Sequence, residues 1–349
     1  MCLLAVVAAL AGVGVSCRKS APPPEAPPPA SAPMTATTPA SAPVSAPAES
    51  QAVSTVASAP AHTDDYDDLM ARGNAAVVDG DYPLAAHFYT RAVKAAGPEP
   101  GVRRGDKVEA LKGLSNVLTL LGRHDQAAEA YRRLVEMDPS DRTGRFNLAV
   151  SLVRIRRFGE AEGIYLHLVT EQPDFVQARY NLAWLYQVEG KLAQARDQWR
   201  QVVRQAPQLA SAHAALGDVL MHLGDVGQAM AAYLVATDQA ADNASLWHGL
   251  TLAARAAGYP QHAVVAARRA AELDPQDAAA WRLLGDVLLD LHRATRDERF
   301  LTQAATAWRR SLALDDTQDD LRRILAATGG SRTTAGPPPP AASAPAIDN

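Results

Sequence analysis

One alanine returns along this chain at a fixed interval: Ala127, Ala161, Ala195, Ala229 and Ala263 stand 34 residues apart. Ala85 before them and Ala304 after them continue the series across two insertions. A fixed period of this length marks an array of small stacked units, each burying its apolar face against its neighbours, rather than one closed core. Four residues after each alanine comes a large ring, at Tyr89, Tyr131, Tyr165, Trp199, Tyr233 and Trp308, with Ala267 as the exception. Three further on stand Ala92, Leu134, Leu168, Val202, Ala236, Ala270 and Ser311. Spacings of four and seven put these residues on one face of a helix. The alanine lets a neighbouring helix come close, and the ring fills the space between units.

A second pattern precedes the first within each repeat. Its eighth place is small or short throughout: Gly73, Ser115, Ala149, Ala183, Gly217, Thr251 and Gly285. Leucine stands before it at Leu114, Leu148, Leu182, Leu216, Leu250 and Leu284. Between the two helical patterns lies a turn glycine, at Gly80, Gly122, Gly190, Gly224 or Gly258, suited to a left-handed helix cap. Arg156 replaces it in the third repeat. Pro139, Pro173, Pro207 and Pro275 stop the second helices. Each repeat therefore reads helix, turn, helix.

This pattern resembles the tetratricopeptide (TPR) repeat. The resemblance covers repeats near 66–99, 108–141, 142–175, 176–209, 210–243, 244–277 and 278–318. It implies an all-α fold, a right-handed superhelical solenoid of about seven helix-turn-helix repeats. Residues 64–327 form the solenoid domain in this reading. Two departures stand out: an insertion from Glu99 to Asp106, and extra residues near His292 to Glu298, read as two added helical turns or a longer loop. Asp319 to Ala327 is expected to cap the array with a helix whose polar side faces out.

The composition agrees. Apolar residues make up 48% and aromatics 5%, a core of Ala, Leu and Val suited to close helix packing. The net charge is −4, without the basic face that nucleic acid demands. The two cysteines, Cys2 and Cys17, lie outside the repeats, so the repeats hold neither a disulfide framework nor a cysteine metal site.

The N-terminus carries a different signal. Leu3 to Val15 is an apolar run, short of the roughly 20 residues of a membrane span. Gly14-Val15-Ser16 follow in small steps, then Cys17. Residues 1–16 read as a signal peptide. The junction resembles a bacterial lipobox, with Gly14 where leucine is usual; the resemblance implies lipidation of Cys17 and a membrane anchor. An ordinary signal peptide and a retained anchor stay open. Arg18 after the cysteine leans the expected location towards the outer membrane, facing periplasm or exterior; otherwise the protein is periplasmic or secreted. Residues 17–63 are almost wholly Pro, Ala, Ser, Thr and Val, a composition that cannot bury enough apolar surface to order itself. We expect a spacer whose contour is on the order of 130 Å in polyproline II form. Residues 328–349 read as a disordered tail.

TPR solenoids present their first helices along a concave groove, at the second, fifth, ninth and twelfth places. Here those places include Phe146, Val150, Val153, Tyr180 and Trp184, which would form an exposed apolar patch for a partner. The alternative is that Tyr180 and Trp184 pack as core. Lys112, Asn116 and Asn147 match three of five places of the clamp by which some TPR domains hold a terminal carboxylate. The other two are Gln177 and Asn181 rather than basic residues, so a clamp is not expected, but the strip belongs to the expected groove.

No phosphate loop, dinucleotide fingerprint, HExxH or GxSxG occurs, and His213 and His222 lack ligand spacing. The reading is a non-catalytic scaffold of the bacterial envelope, without cofactor, metal or small-molecule substrate, holding a protein or peptide ligand. A periplasmic holdase and an unrecognised enzyme or enzyme regulator remain as alternatives.

Overall fold

The computed structural model describes residues 65–97 and 104–329. Among these every regular element is a helix. The chain divides into two compact units, the first ending at Lys191 and the second beginning at Leu192.

The N-terminal unit contains α1 (Tyr66–Val78), α2 (Tyr82–Ala95), α3 (Arg104–Leu120), α4 (His124–Met137), α5 (Arg142–Arg154), α6 (Phe158–Glu171) and α7 (Val176–Val188). Each helix packs on the next, and α1 also touches α3 directly. The C-terminal unit contains α8 (Leu192–Gln205), α9 (Ala210–Leu223), α10 (Val226–Gln239), α11 (Ala244–Ala256), α12 (Pro260–Leu273), α13 (Ala278–Thr295), α14 (Glu298–Leu314) and α15 (Asp319–Gly329). There too successive helices pack in order, with α9 also against α11. The alanine that defines the period is fully buried in every repeat.

The turn glycines Gly80, Gly122, Gly190, Gly224 and Gly258 all have positive φ. Arg156 takes the same left-handed turn at φ 62°. A left-handed L-residue costs about 1–2 kcal/mol, part of which glycine returns through its looser unfolded state. The Arg156 guanidinium stacks over the Phe158 ring at 5.8 Å, which offsets some of that cost. Arg156→Gly is therefore expected to raise stability slightly, by up to about 1 kcal/mol. A urea titration checks it, and a loss of stability would mean that the stacking outweighs the strain.

Within the described residues, most of the inserted positions lie in helix. The seventh repeat spends its extra residues in both helices: α13 has 18 residues and α14 has 17, against 13 and 14 in the third repeat. Arg296, at φ 61°, closes the turn between them. The first insertion lengthens α3 to 17 residues at its start, the rest lying outside the described residues. The final helix, α15, buries Leu321 completely and leans Ile324 and Leu325 on the C-terminal core. Arg282 of α13 pairs with Asp320 and reaches Gln318, fixing its start.

One recurrent contact has no counterpart in the sequence pattern. The side chain at the fourth place of four successive repeats turns back to a loop carbonyl six residues earlier. Arg179 Nη2 donates to Pro173 at 2.9 Å, Trp247 Nε1 to Ala241 at 2.9 Å and Trp281 Nε1 to Pro275 at 3.1 Å, and His213 Nε2 lies 3.0 Å from the Pro207 carbonyl. These oxygens lie in the link between repeats, where no helical N–H can serve them.

Candidate functional site

The ring at the twenty-fourth place shapes the junctions where glycines face it. In the first and fifth repeats it lies against the small eighth residue of its own repeat and reaches the sixth place of the next. A Cβ on Gly73 or on Gly113 would stand 2.8 Å from the Tyr89 ring, so both glycines are dictated by that ring. Tyr233 sits in the same way between Gly217 and Gly249. Trp308 lies against Gly285.

The polar end of the ring then reaches the ninth place of its own repeat. The Tyr89 hydroxyl donates to Asn74 Oδ1 at 2.6 Å and the Tyr131 hydroxyl to Asn116 Oδ1 at 2.7 Å. Tyr233 donates to Asp218, and Trp308 Nε1 donates to Asp286 Oδ1 at 3.0 Å. In the third repeat the ninth place is Val150, which offers no acceptor. The Tyr165 hydroxyl instead receives the Asn181 Nδ2 hydrogen bond at 3.1 Å. Tyr165 is fully buried, and burial holds its hydroxyl well above the usual phenol range.

This network corrects the expected groove. Phe146, Val150 and Val153 were expected to be exposed; their exposures are 5%, 8% and 8%. Phe146 packs against the rings of Tyr165 at 6.0 Å and Phe175 at 5.3 Å, and so belongs to the core of the third repeat. Asn181 is buried and engaged with Tyr165. Asn147 is half-buried and lies beside the Tyr131 hydroxyl, which burial pushes up and Asn147 pulls partly back down. Lys112 pairs with Asp141 at 3.5 Å, and that carboxylate also caps α5 through the Gly144 N–H. The polar strip is thus largely committed to structure.

Other residues remain presented on the first helices. Asn74 and Asn116 are exposed, each with its oxygen held by a tyrosine and its amide nitrogen left as donor. Tyr180 and Trp184 are half-buried, and the Trp184 indole N–H is buried without an acceptor. One helical turn past Asn74 and Asn116 stand Val78 and Leu120, with exposures of 85% and 59%. Counting on four places from the ninth would have found this pair in the sequence. The face of the N-terminal unit is therefore built of fixed amides, part-covered aromatics and bare aliphatic ends. The matching places of the C-terminal unit are more charged: Asp218, Asp286 and Asp290, with Arg255 bound to Asp290 at 2.7 Å. Burial raises the Asp286 carboxyl above its usual value, against the Trp308 hydrogen bond and the nearby Arg255 and Arg282.

No group of three His, Cys, Asp or Glu among the described residues could hold a metal ion, and no helix there is long and apolar enough to cross a membrane. Cys17 lies outside the described residues.

Helix pairs of this length, with a buried alanine facing a ring and a glycine turn, are TPR-like, and tetratricopeptide repeats are found over the residues that the family model matches. The family model for the tetratricopeptide repeat matches residues 70–142, 114–174 and 180–244. Among solved structures the chain is similar to a tetratricopeptide repeat protein from Parabacteroides merdae ATCC 43184, at 15% identity and TM-score 0.51, covering 76% of this chain and 99% of that one. It is also similar to YrrB, a TPR protein with an unusual peptide-binding site, at 17% identity and TM-score 0.50, covering 56% of this chain and 98% of that one. MamA aligns at 18% identity and TM-score 0.46 over 50% of this chain and 91% of its own. No curated protein matches the sequence.

Proposed function

We propose that the protein is a non-catalytic scaffold that holds an extended peptide segment of a protein partner on the first-helix face of its N-terminal unit. The observation that carries this reading is that Asn74 and Asn116, at the same place of successive repeats, both have their amide oxygens pinned, by Tyr89 and Tyr131. An amide held in this way offers its nitrogen to a backbone carbonyl without first losing rotational freedom, which favours binding. Tyr180 and Trp184, on the same face of α7, supply aromatic surface of the kind that concentrates binding energy. YrrB, a relative in fold, is described as binding peptide, which supports the reading.

A peptide array probed with the purified protein tests it. Tyr180→Ala with Trp184→Ala is expected to weaken binding of the captured peptides at least about tenfold, or roughly 1.4 kcal/mol, with helicity by circular dichroism nearly intact. A large loss of helicity, or unchanged binding, overturns the assignment of these rings.

The same proposal tethers the scaffold to the bacterial envelope through a lipidated Cys17, with residues 18–63 as spacer. Its support is the apolar run ending in Gly14-Val15-Ser16-Cys17. Two acyl chains give stable anchoring where one is marginal. In detergent phase separation the wild type is expected in the detergent phase and Cys17→Ser in the aqueous phase. Equal partitioning would remove the anchor and leave an untethered adaptor.

A further inference from the structure

Successive second helices are tied together through the twenty-fifth place of the repeat. Arg132 Nη2 reaches Glu160 Oε2 at 3.4 Å, Arg200 Nη2 reaches Gln228 Oε1 at 2.8 Å and Arg268 Nη2 reaches Gln303 Oε1 at 3.5 Å, each at the nineteenth place of the following repeat. The other later repeats also carry a long side chain there, at Leu166, Leu234 and Arg309. The first repeat alone has a short one, Thr90, and its hydroxyl turns back to the Ala86 carbonyl at 2.7 Å. A groove of about 660 Å³ lies at this junction between α2, α3 and α4, with Thr90 and the opposing nineteenth residue, Gln126, in its walls. Sites for bound molecules have volumes of about 300–1,000 Å³.

The lining says what fits. Ala86, Val93, Leu111, Leu114, Leu118 and Ala130 make the floor, so no polar side chain meets an occupant there. An extended peptide would leave its backbone N–H and C=O groups unserved against that floor, whereas a helix satisfies its own. Pro83 and Lys94 both line the groove, so it runs 11 residues along α2, about 16 Å or three helical turns. The charges at its rim are unequal. Glu129 already holds Arg132 and Arg133. Asp125 stands in the first turn of α4, where the helix dipole favours an acid. Two exposed cations of the lining, Lys94 and Arg123, have no acid partner among the described residues. They stand at opposite ends. The start of α2 packs on the end of α3 through Ala85, Val117 and Leu121, and the end of α2 packs on the start of α3 through Ala96 and Ala110. Arg123 follows α3 and so lies by the start of α2, while Lys94 sits in the last turn of α2. We propose that this groove seats an amphipathic helix of a protein partner, aliphatic on the face that enters and acidic towards both ends. The site is separate from Tyr180 and Trp184 and goes beyond the peptide-binding reading without requiring it.

The probe is a fluorescent 16-residue helical peptide with leucines along one face and glutamates in its first and last turns. Its counterpart carries lysines in place of the glutamates. Anisotropy with the full-length protein at low salt is expected to show the acidic peptide binding at least about tenfold tighter. Lys94→Glu with Arg123→Glu should invert that order. Thr90→Arg, which installs at an exposed site the residue four later repeats carry, should weaken the acidic peptide at least about fivefold. Circular dichroism checks that each variant keeps its helices. Failure of the acidic peptide to bind, equal binding of the two peptides, or indifference to Thr90→Arg would each overturn the proposal. Dodecanoate binding that Thr90→Arg abolishes, with neither peptide bound, would assign the groove to a fatty chain instead. Tyr180→Ala with Trp184→Ala should leave the acidic peptide's binding unchanged, so this site and the first-helix face fail or stand separately.

Discussion

Trp308→Ala is expected to be the most damaging single substitution in the C-terminal unit, at about 3–5 kcal/mol. Trp308 is fully buried among Val287, Leu288, Leu291, Ala304 and Leu321. Its ring fills the space that Gly285 leaves open, and its N–H serves Asp286. Truncation removes the ring and strips the carboxylate of its donor at once. For an array of this size the loss corresponds to a melting decrease of roughly 6–20 °C, measurable by calorimetry. Because each repeat leans only on its neighbours, the loss should fall first on α13 to α15, where amide exchange would accelerate. The deficit should also depend on pH. The Asp286 carboxyl already titrates above its ordinary value of 3.8, and the indole N–H favours its charged form. Without that donor the folded-state value rises further, which disfavours the folded state wherever the carboxylate is ionised. The gap between variant and wild type should be widest near neutrality and narrow as the pH falls through the raised Asp286 range. A pH-independent gap would mean that the hydrogen bond contributes nothing beyond packing.

Gly249→Ala and Gly163→Ala should move stability in opposite directions. Both glycines sit inside helices, where alanine is ordinarily better by about 1 kcal/mol. At Gly163 a Cβ meets nothing within 4 Å, so the variant should gain roughly that amount. At Gly249 the Cβ would stand 2.2 Å from Tyr233 Cε1 and 2.5 Å from Cζ. The ring has little room to yield, because Gly217 supports it on the other side. Overpacking costs about 1–3 kcal/mol, more than the helical preference returns. Chemical denaturation of the two variants beside wild type decides the matter. A stabilised Gly249→Ala would show that Tyr233 can swing out, and that glycine at this place reflects something other than contact with the ring.

These contrasts mark how far the sequence could be read. The alanine period, the ring four residues on and the turn glycines were visible because each answers to one local constraint, a close helix approach or a left-handed turn. Arg156 was legible as the odd member of a series, and it takes the series' conformation. The binding face was harder. Phe146 and Val150 lie at groove places by count. The count alone, however, does not reveal that Phe175, just before α7, folds its ring over Phe146 and draws it into the core. Asn116 and Asn147 resembled ligand-holding amides because the same residue type serves a tyrosine in this array. For Asn116 that use depends on a ring 15 residues downstream. Val78 and Leu120 are exposed because they lie on the side of their helices away from the cluster that takes in Ala76, Val77, Val117 and Leu121.

Ala267, the one gap in the series of rings, has a partner in Leu283. The sixth place of the following repeat is elsewhere glycine, alanine or asparagine. At the last junction it is leucine, in the same packed cluster as Ala267. A large ring facing a small residue has been exchanged for a small residue facing a large one. Near-identical repeats carry the danger of associating in the wrong order while the chain folds. A reversed junction works against that danger, because the sixth repeat's second helix leaves a hollow beside any first helix but the seventh's, and the seventh's first helix collides with any second helix that bears a ring. The array thus has an address written near its C-terminal end, and duplication or deletion of a whole repeat should be tolerated everywhere except across that step.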